Sequence, residues 1–199
     1  MKFTQFFSYI MHPILIPLII FCIIFRGVED FYFLLRSNLV SILSIIVLFT
    51  IIFPVIHILL LKKFKFISNL ELNIRDERNN PLFSTFVYYY IGYYLLKEYF
   101  YYVPIIEKVF LGGILLVIIS LIINYFWKIS LHMIGVGTAS GTFIVLHQIY
   151  SGLFYFILVF FLFSSLLAFA RYSLKSHNFL QIYSGFFLAV IFQIFFLYW

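Results

Sequence analysis

The polar stretch Arg171-Tyr-Ser-Leu-Lys-Ser-His177-Asn-Phe-Leu-Gln181 separates two long apolar runs near the end of the chain. It places an arginine, a histidine and an amide at the spacing Arg-x5-His-x3-Gln. A helix of about 20 apolar residues crosses the hydrocarbon core of a bilayer, and the runs on both sides approach that length. The stretch therefore predicts a turn at a membrane surface between two spanning helices.

The composition of the chain favours a membrane protein. Of the 199 residues, 65% are hydrophobic and only 10% are charged, whereas about a quarter of the residues in a soluble domain are charged. The apolar runs also lack the polar/apolar alternation of strands in a membrane β-barrel. We therefore predict an all-α, polytopic transmembrane bundle that forms a single domain over residues 1–199.

Seven apolar stretches come near the length of a membrane span. They cover residues 6–25, 38–61, 82–101, 104–127, 131–149, 152–170 and 178–198. The first follows Lys2 without a small-residue cleavage motif, so we interpret it as a retained span and not as a signal peptide. Because it contains Pro13 and Pro17, we expect its early part to be kinked or only partly inserted. The predicted bundle has about six or seven spans.

Net charge limits the classes of partner, and cysteine content limits the kinds of cross-link and metal site. The net charge is +6, but the basic residues lie in loops between apolar segments, which favours anionic lipid headgroups over nucleic acid as partners. The single cysteine, Cys22, excludes a disulfide framework and a multi-cysteine zinc site. We expect Cys22 to be a small buried hydrophobe.

Isolated residues inside the apolar runs predict packing roles. His57 lies in mid-span, where an imidazole is costly in lipid, so it should face the bundle interior and be hydrogen-bonded. We interpret His12 as an interfacial residue beside the proline kink. The pattern Gly137-x3-Gly141 has small residues four apart, which predicts close helix packing.

Three polar clusters fall on one face of the predicted bundle. Two spans separate Arg75 and Arg78 from His132, and two more separate His132 from Arg171 and His177. An even number of crossings returns the chain to the same side, which also carries the N-terminus. Lysines and arginines are more numerous on that side, and the positive-inside rule then favours a cytoplasmic face. Because arginine forks and imidazoles suit phosphate oxygens, we predict a phosphate site on this face.

The segment Ser130-Leu-His132, followed by Arg171-x5-His177, resembles the second and third motifs of the type 2 phosphatidic acid phosphatase superfamily. The family pattern is Lys-x6-Arg-Pro, then Pro-Ser-Gly-His, then Ser-Arg-x5-His-x3-Asp. The resemblance covers the chain from Ser130 onwards and, more loosely, residues 75–81. It implies a lipid phosphatase that needs no metal or cofactor and forms a phosphohistidine intermediate at one membrane interface.

The resemblance also implies a role for each matching side chain. His177 is the expected nucleophile, His132 protonates the leaving oxygen, and Gln181 stands where the family has the aspartate that orients the nucleophile. Four side chains are expected to bind phosphate: Arg171, Arg78, Arg75 and Ser130. The expected substrates are lipid phosphates or polyprenyl pyrophosphates, with undecaprenyl-type carriers and phosphatidate-type lipids both open. The expected location is a bacterial inner membrane.

Several positions depart from the family pattern. The Gln181 amide can accept a ring N–H but adds no charge, Leu131 replaces the glycine of the second motif, and Glu71 stands where the first motif has lysine. These departures keep a second function open, a catalytically inactive phosphatase-like subunit or lipid-binding scaffold with a protein partner. A small transporter is less favoured, because no inverted repeat is visible and the polar residues lie at one interface.

Overall fold

The computed structural model describes residues 3–199, and within that range the chain is all-helical, as predicted. Lys2 lies outside the described residues. Ten α-helices follow one another along this part of the chain: α1 (Phe3–Ile10), α2 (Ile16–Gly27), α3 (Glu29–Leu35), α4 (Leu39–Val47), α5 (Phe53–Lys63), α6 (Asn79–Phe100), α7 (Pro104–Phe126), α8 (Leu131–Ile149), α9 (Phe154–Ser173) and α10 (Phe179–Tyr198).

Four helical segments in residues 3–199 are long and apolar enough to cross a membrane, as expected of a membrane protein. They are Glu29–Lys63, Pro104–Phe126, Phe154–Ser173 and Phe179–Tyr198. The helices α6 and α8 have similar lengths, with 22 and 19 residues, but their sequences are more polar. Length and hydropathy thus support four crossings, and the six or seven that we predicted stay a prediction.

The N-terminal part of the chain departs from the predicted spans. Residues 6–25 do not form one helix, because residues 11–15 break the run between α1 and α2. Pro13 lies in this break, where it has no N–H to continue the hydrogen-bond ladder of a helix. The expected kink is therefore confirmed. The residues between the first two predicted spans are also helical, since α3 continues through a 3-10 turn (Arg36–Asn38) into α4.

The helix α8 occupies the centre of the bundle. Most of its residues are buried, and its contact with α10 is the most extensive between any two of the described helices. A Cβ added at Gly137 would lie 2.6 Å from Phe186 O, and one added at Gly141 would lie 2.9 Å from Val190 O. The predicted close packing at Gly137-x3-Gly141 is therefore confirmed, and it aligns α8 with α10.

The predictions for two isolated side chains of the apolar runs have different outcomes. His57 bridges two helices, as predicted: its Nε2 lies 3.0 Å from Asn80 Oδ1 and its Nδ1 lies 3.3 Å from Tyr88 Oη. The imidazole thereby links α5 to α6. The expected burial of Cys22 is wrong, because its side chain is exposed on α2 while its neighbour Phe21 takes the inward face.

Candidate functional site

A cavity of about 180 Å³ lies where polar segments from several parts of the chain meet. Five guanidinium or imidazole side chains line its polar wall, namely His12, Arg78, His132, Arg171 and His177, and the carboxylate of Glu71 lines it as well. Four of these five side chains belong to the three clusters that the sequence places on one face. Residues from all three clusters therefore meet in space.

The turn between α9 and α10 positions Arg171 and His177. Arg171 lies in the last turn of α9, and His177 immediately precedes Asn178, the N-cap residue of α10. A capping box starts α10: the Asn178 side chain accepts the Gln181 N–H at 2.9 Å, and the Gln181 side chain accepts the Asn178 N–H at 3.4 Å. This pattern satisfies N–H groups that a helix start leaves free, and it fixes the backbone beside His177.

The Gln181 side chain also holds the imidazole of His177. Its Oε1 lies 2.9 Å from His177 Nδ1. The same oxygen accepts the Asn178 N–H, so it acts as an acceptor, and Nδ1 must carry the ring proton. The other ring nitrogen, Nε2, keeps its lone pair, which is the state that a nucleophile or a base requires.

Arg78 is held by two backbone carbonyls. It lies in the 3-10 turn (Asp76–Arg78) that precedes α6, and its side chain is buried. Its Nε donates to Leu72 O at 2.7 Å, and its Nη1 donates to Ile129 O at 3.1 Å. These two bonds fix the plane of the guanidinium at the cavity wall, and no carboxylate within residues 3–199 forms an ion pair with it.

Arg171 is buried without full hydrogen bonding. Among residues 3–199, its Nε has no hydrogen-bond acceptor. The carboxylate that acts on it electrostatically belongs to Glu71, which also lines the cavity. A buried cation without close partners is costly, so the arrangement favours binding of an anion beside Arg171.

The N-terminal segment packs against His132 at the start of α8. The backbone of Ser8 in α1 acts electrostatically on the imidazole of His132. The break between α1 and α2 places His12 beside it, with the ring centroids 5.1 Å apart and the ring planes at 79°. Helix α1 therefore supports His132 directly, and the break after it contributes a second imidazole to the cavity.

Sequence reasoning missed that His12 lines the cavity and treated it as an interfacial residue. Two signals pointed to it. The crossing parity places the N-terminus on the same face as the three polar clusters, and the proline that follows His12 predicts a break in the helix at that point. A histidine at a helix break on the same face as the polar clusters is therefore a candidate for the site.

Burial lowers the pKa values of the basic groups of the cavity, and the charges of neighbouring arginines lower them further. Burial, together with the positive charge of Arg171, lowers the pKa of His12 to about 4. Burial and then the charge of Arg78 lower the pKa of His177 to about 3, although the hydrogen bond with Gln181 acts in the opposite direction. Burial and the charge of Arg171 lower the pKa of Arg78 to about 10. Both imidazoles are therefore neutral at pH 7, while Arg78 stays charged.

Three of the predicted site residues do not line the cavity: Arg75, Ser130 and Gln181, the last of which contacts His177. Arg75 forms an ion pair with Asp76 at 2.9 Å and donates to Phe126 O at 3.1 Å, so it diverges from Arg78. Ser130 is fully buried, and its N–H donates to Gln181 O at 3.3 Å. Its Oγ has no hydrogen-bond partner in the described part of the chain.

The donors of the cavity suit an anion more than a metal ion. Within residues 3–199, no group of three or more His, Cys, Asp or Glu side chains is arranged to hold a metal. The cavity instead gathers guanidinium and imidazole groups, whose N–H donors match phosphate oxygens. In comparisons with protein-family models, curated proteins and solved structures, the chain matches none of them.

Proposed function

We propose that the protein is a membrane phosphatase that removes phosphate from a lipid phosphate or pyrophosphate through a phosphohistidine intermediate. One observation carries the proposal: two buried guanidiniums and two imidazoles line a single cavity, namely Arg78, Arg171, His132 and His177. Guanidinium forks bind phosphate oxygens in pairs. An imidazole with a free nitrogen can accept the phosphoryl group.

The proposed first step uses both histidines. The Nε2 atom of His177 attacks the phosphorus, and the bond between phosphorus and the lipid oxygen breaks. The leaving oxygen takes a proton from His132, whose protonated form is favoured by the bound phosphate dianion. Arg78 and Arg171 stay charged throughout and stabilise the charge that develops on the phosphoryl oxygens.

In the second step, water attacks the phosphorus of the phosphohistidine, and the phosphorus–nitrogen bond breaks. Phosphate leaves, and His132 accepts the proton that the water loses, so both histidines return to their starting states. Gln181 keeps the proton on Nδ1 of His177 through both steps by accepting it in a hydrogen bond. The reaction therefore needs water as its only other reactant.

The apolar part of the cavity supports a lipid substrate. Its wall continues with apolar side chains from five helices, α2, α5, α6, α7 and α8, including Phe21, Ile58, Leu82, Phe110 and Ile134. Along α7 the wall extends from Ser120 to Val109, which is roughly 16 Å at the helical rise of about 1.5 Å per residue. A chain attached to the phosphate can lie along this wall, so the class of substrate includes both acyl and prenyl lipids.

We place the site on the cytoplasmic side of a bacterial inner membrane, in a bundle of seven crossings. The first crossing contains α2 and runs from His12, beside His132, to Phe31, which contacts Tyr150 just beyond the other end of α8. The other six are the continuous α4–α5 helix and the helices α6 to α10. The lengths of α6 and α8, 22 and 19 residues, are sufficient for a hydrocarbon core that needs about 20. Polar side chains of α8 such as Ser140 and Thr142 are buried against protein, which explains why a crossing helix can be this polar.

A non-catalytic subunit or lipid-binding scaffold is the second candidate. Glu71 places a carboxylate on the cavity wall, and its negative charge opposes phosphate binding. The neutral Gln181 cannot stabilise a positively charged His177 as a carboxylate would. A scaffold of this kind would bind the lipid phosphate without cleaving it and would act through a protein partner.

Phosphate release tests the proposed function. Purified protein in detergent and EDTA is incubated with a panel of lipid phosphates and pyrophosphates, using wild type, His177→Ala and His147→Ala. His147 is the matched control, because it lies at the opposite end of α8 and does not line the cavity. EDTA-resistant release by wild type and His147→Ala that is lost in His177→Ala supports the phosphatase. No release by folded wild-type protein from any lipid overturns it in favour of the scaffold.

A further inference from the structure

We propose that His12 is a third phosphate-binding imidazole, whose Nε2–H donates to a phosphoryl oxygen alongside Arg171 and His132. The inference rests on the proposed function for the identity of the ligand. It adds a residue that lies outside all three motifs of the resemblance. It also makes the N-terminal helices α1 and α2 part of the site.

The fold builds the position of His12. Pro13 follows it, and Leu15 N–H donates to His12 O at 2.9 Å, so the break is a defined turn. Residue 135 of α8 is glycine, and a Cβ there would lie 3.4 Å from Pro13 Cα. Because Gly135 lies about one helical turn after His132, the break packs against the first turns of α8. This close approach brings the two imidazoles into contact.

The hydrogen bond that the His12 ring accepts determines which ring nitrogen carries the proton. Ile14 N–H donates to His12 Nδ1 at 3.4 Å, so Nδ1 is an acceptor and the proton of the neutral ring lies on Nε2. His12 lines the cavity together with Arg171, and the charge of Arg171 acts on it. The Nε2–H group is thus the donor that His12 offers to a ligand.

The competing explanation is that His12 only packs against His132. An edge-to-face contact of two rings contributes to stability by itself, and so does the hydrogen bond to the turn. Substitutions at this one position separate the ring contact, the hydrogen bond to the turn and the proposed Nε2–H donor. His12→Asn keeps an acceptor near the place of Nδ1 and therefore the turn. His12→Phe keeps the ring contact. His12→Gln keeps an N–H donor near the place of Nε2.

Protein in detergent is titrated with inorganic phosphate, and binding is measured as the rise of the thermal unfolding midpoint with phosphate concentration. Wild type, the three His12 variants and His147→Asn are compared, after size-exclusion chromatography shows that each is folded. We expect about tenfold weaker phosphate binding in both His12→Asn and His12→Phe, the size of one lost hydrogen bond to a charged group. We expect His12→Gln and His147→Asn to bind like wild type.

Other outcomes overturn the inference. If all variants bind phosphate like wild type, His12 only packs, and the proposed anion site stands without it. If His12→Gln loses as much affinity as the other two, a donor at Nε2 is not what matters. If wild type binds no phosphate, the site and the inference fail together. Phosphate binding that depends on His12, without release of phosphate from any lipid, leaves the inference intact and overturns only the proposed catalysis.

Discussion

The side chains of Gln181 and His177 are joined by a hydrogen bond of 2.9 Å between Oε1 and Nδ1. The same Oε1 accepts the Asn178 N–H in the capping box of α10. One amide oxygen therefore starts a helix and orients an imidazole. Glutamine suits both tasks, because a capping box takes glutamine or glutamate at its third helical position, and the amide oxygen is a hydrogen-bond acceptor.

Substitution of Gln181 should separate orientation from charge. Gln181→Ala removes the acceptor, and we expect phosphate release to fall about tenfold or more, because one hydrogen bond contributes about 1 kcal/mol or slightly more. Gln181→Glu keeps the acceptor and adds a negative charge, which raises the pKa of His177, so its turnover should be at least that of wild type. The measurement is the rate of phosphate release from a lipid phosphate at several pH values. A Gln181→Glu protein as slow as Gln181→Ala would show that the hydrogen bond does not orient the nucleophile.

Replacement of Arg171 by an apolar side chain should lower the rate of phosphate release without lowering stability. Its buried Nε has no acceptor among residues 3–199, and replacing a buried charge with an apolar side chain is often neutral or stabilising. We expect Arg171→Met to unfold at the wild-type temperature or above, and to lose phosphate release by about a hundredfold. Thermal unfolding and phosphate release are measured on the same preparation.

Arg75 is the matched control for Arg171→Met. It pairs with Asp76 and does not line the cavity, and exposed ion pairs contribute about 0–1 kcal/mol. Arg75→Met should therefore change neither stability nor phosphate release by much. An equal loss of release in Arg75→Met and Arg171→Met would contradict the assignment of the cavity as the phosphate site.

The protein should become less stable as the pH falls from 7 to 5. The pKa of His177 is lowered to about 3 by burial and by Arg78, so between an unfolded value of about 6.5 and that value the unfolded state binds more protons than the folded state. The stabilising effect is complete above about pH 6.5 and is lost as the pH falls. At pH 5 the loss from His177 is about 2 kcal/mol, from about 1.4 kcal/mol per pKa unit.

Thermal unfolding midpoints at pH 7 and pH 5 test this dependence. Inorganic phosphate should reduce the loss, because a bound anion favours protonated imidazole. His177→Gln should show a smaller change between the two pH values than wild type. A change of equal size in wild type and His177→Gln would mean that other groups cause the acid sensitivity.

Two alanine substitutions test the packing of α8 on α10. A Cβ at Gly137 would lie 2.6 Å from Phe186 O, so Gly137→Ala should destabilise the protein by about 1–3 kcal/mol. A Cβ at Gly113 meets no atom of residues 3–199 within 4 Å, so Gly113→Ala should be neutral or stabilise by up to about 1 kcal/mol through helix propensity. Unfolding of both variants in detergent gives the comparison. Similar midpoints for the two would contradict the close contact at Gly137.

The amino-acid sequence determined the helices and the local geometry around each polar break. An apolar run of about 20 residues in lipid must satisfy its backbone internally, so a helix is required, and the predicted runs at residues 104–127 and 131–149 coincide with α7 and α8 to within one residue. The spacing of Arg171, His177 and Gln181 spans the end of one helix and the cap of the next. The end of α9 and the cap of α10, which depend on the local sequence, therefore position all three side chains.

Only the tertiary structure decided which side chains share the cavity. Arg75 and Arg78 are three residues apart, yet the carbonyl of the distant Ile129, together with a carbonyl of their own loop, holds Arg78 at the cavity. Arg75 instead pairs with its neighbour in the chain. His12 reaches His132 only because the break between α1 and α2 packs against α8. Hydrophobic periodicity reports which segments leave water. Which side chains of distant segments then meet depends on how the helices pack, and that depends on shape complementarity between residues far apart in the chain.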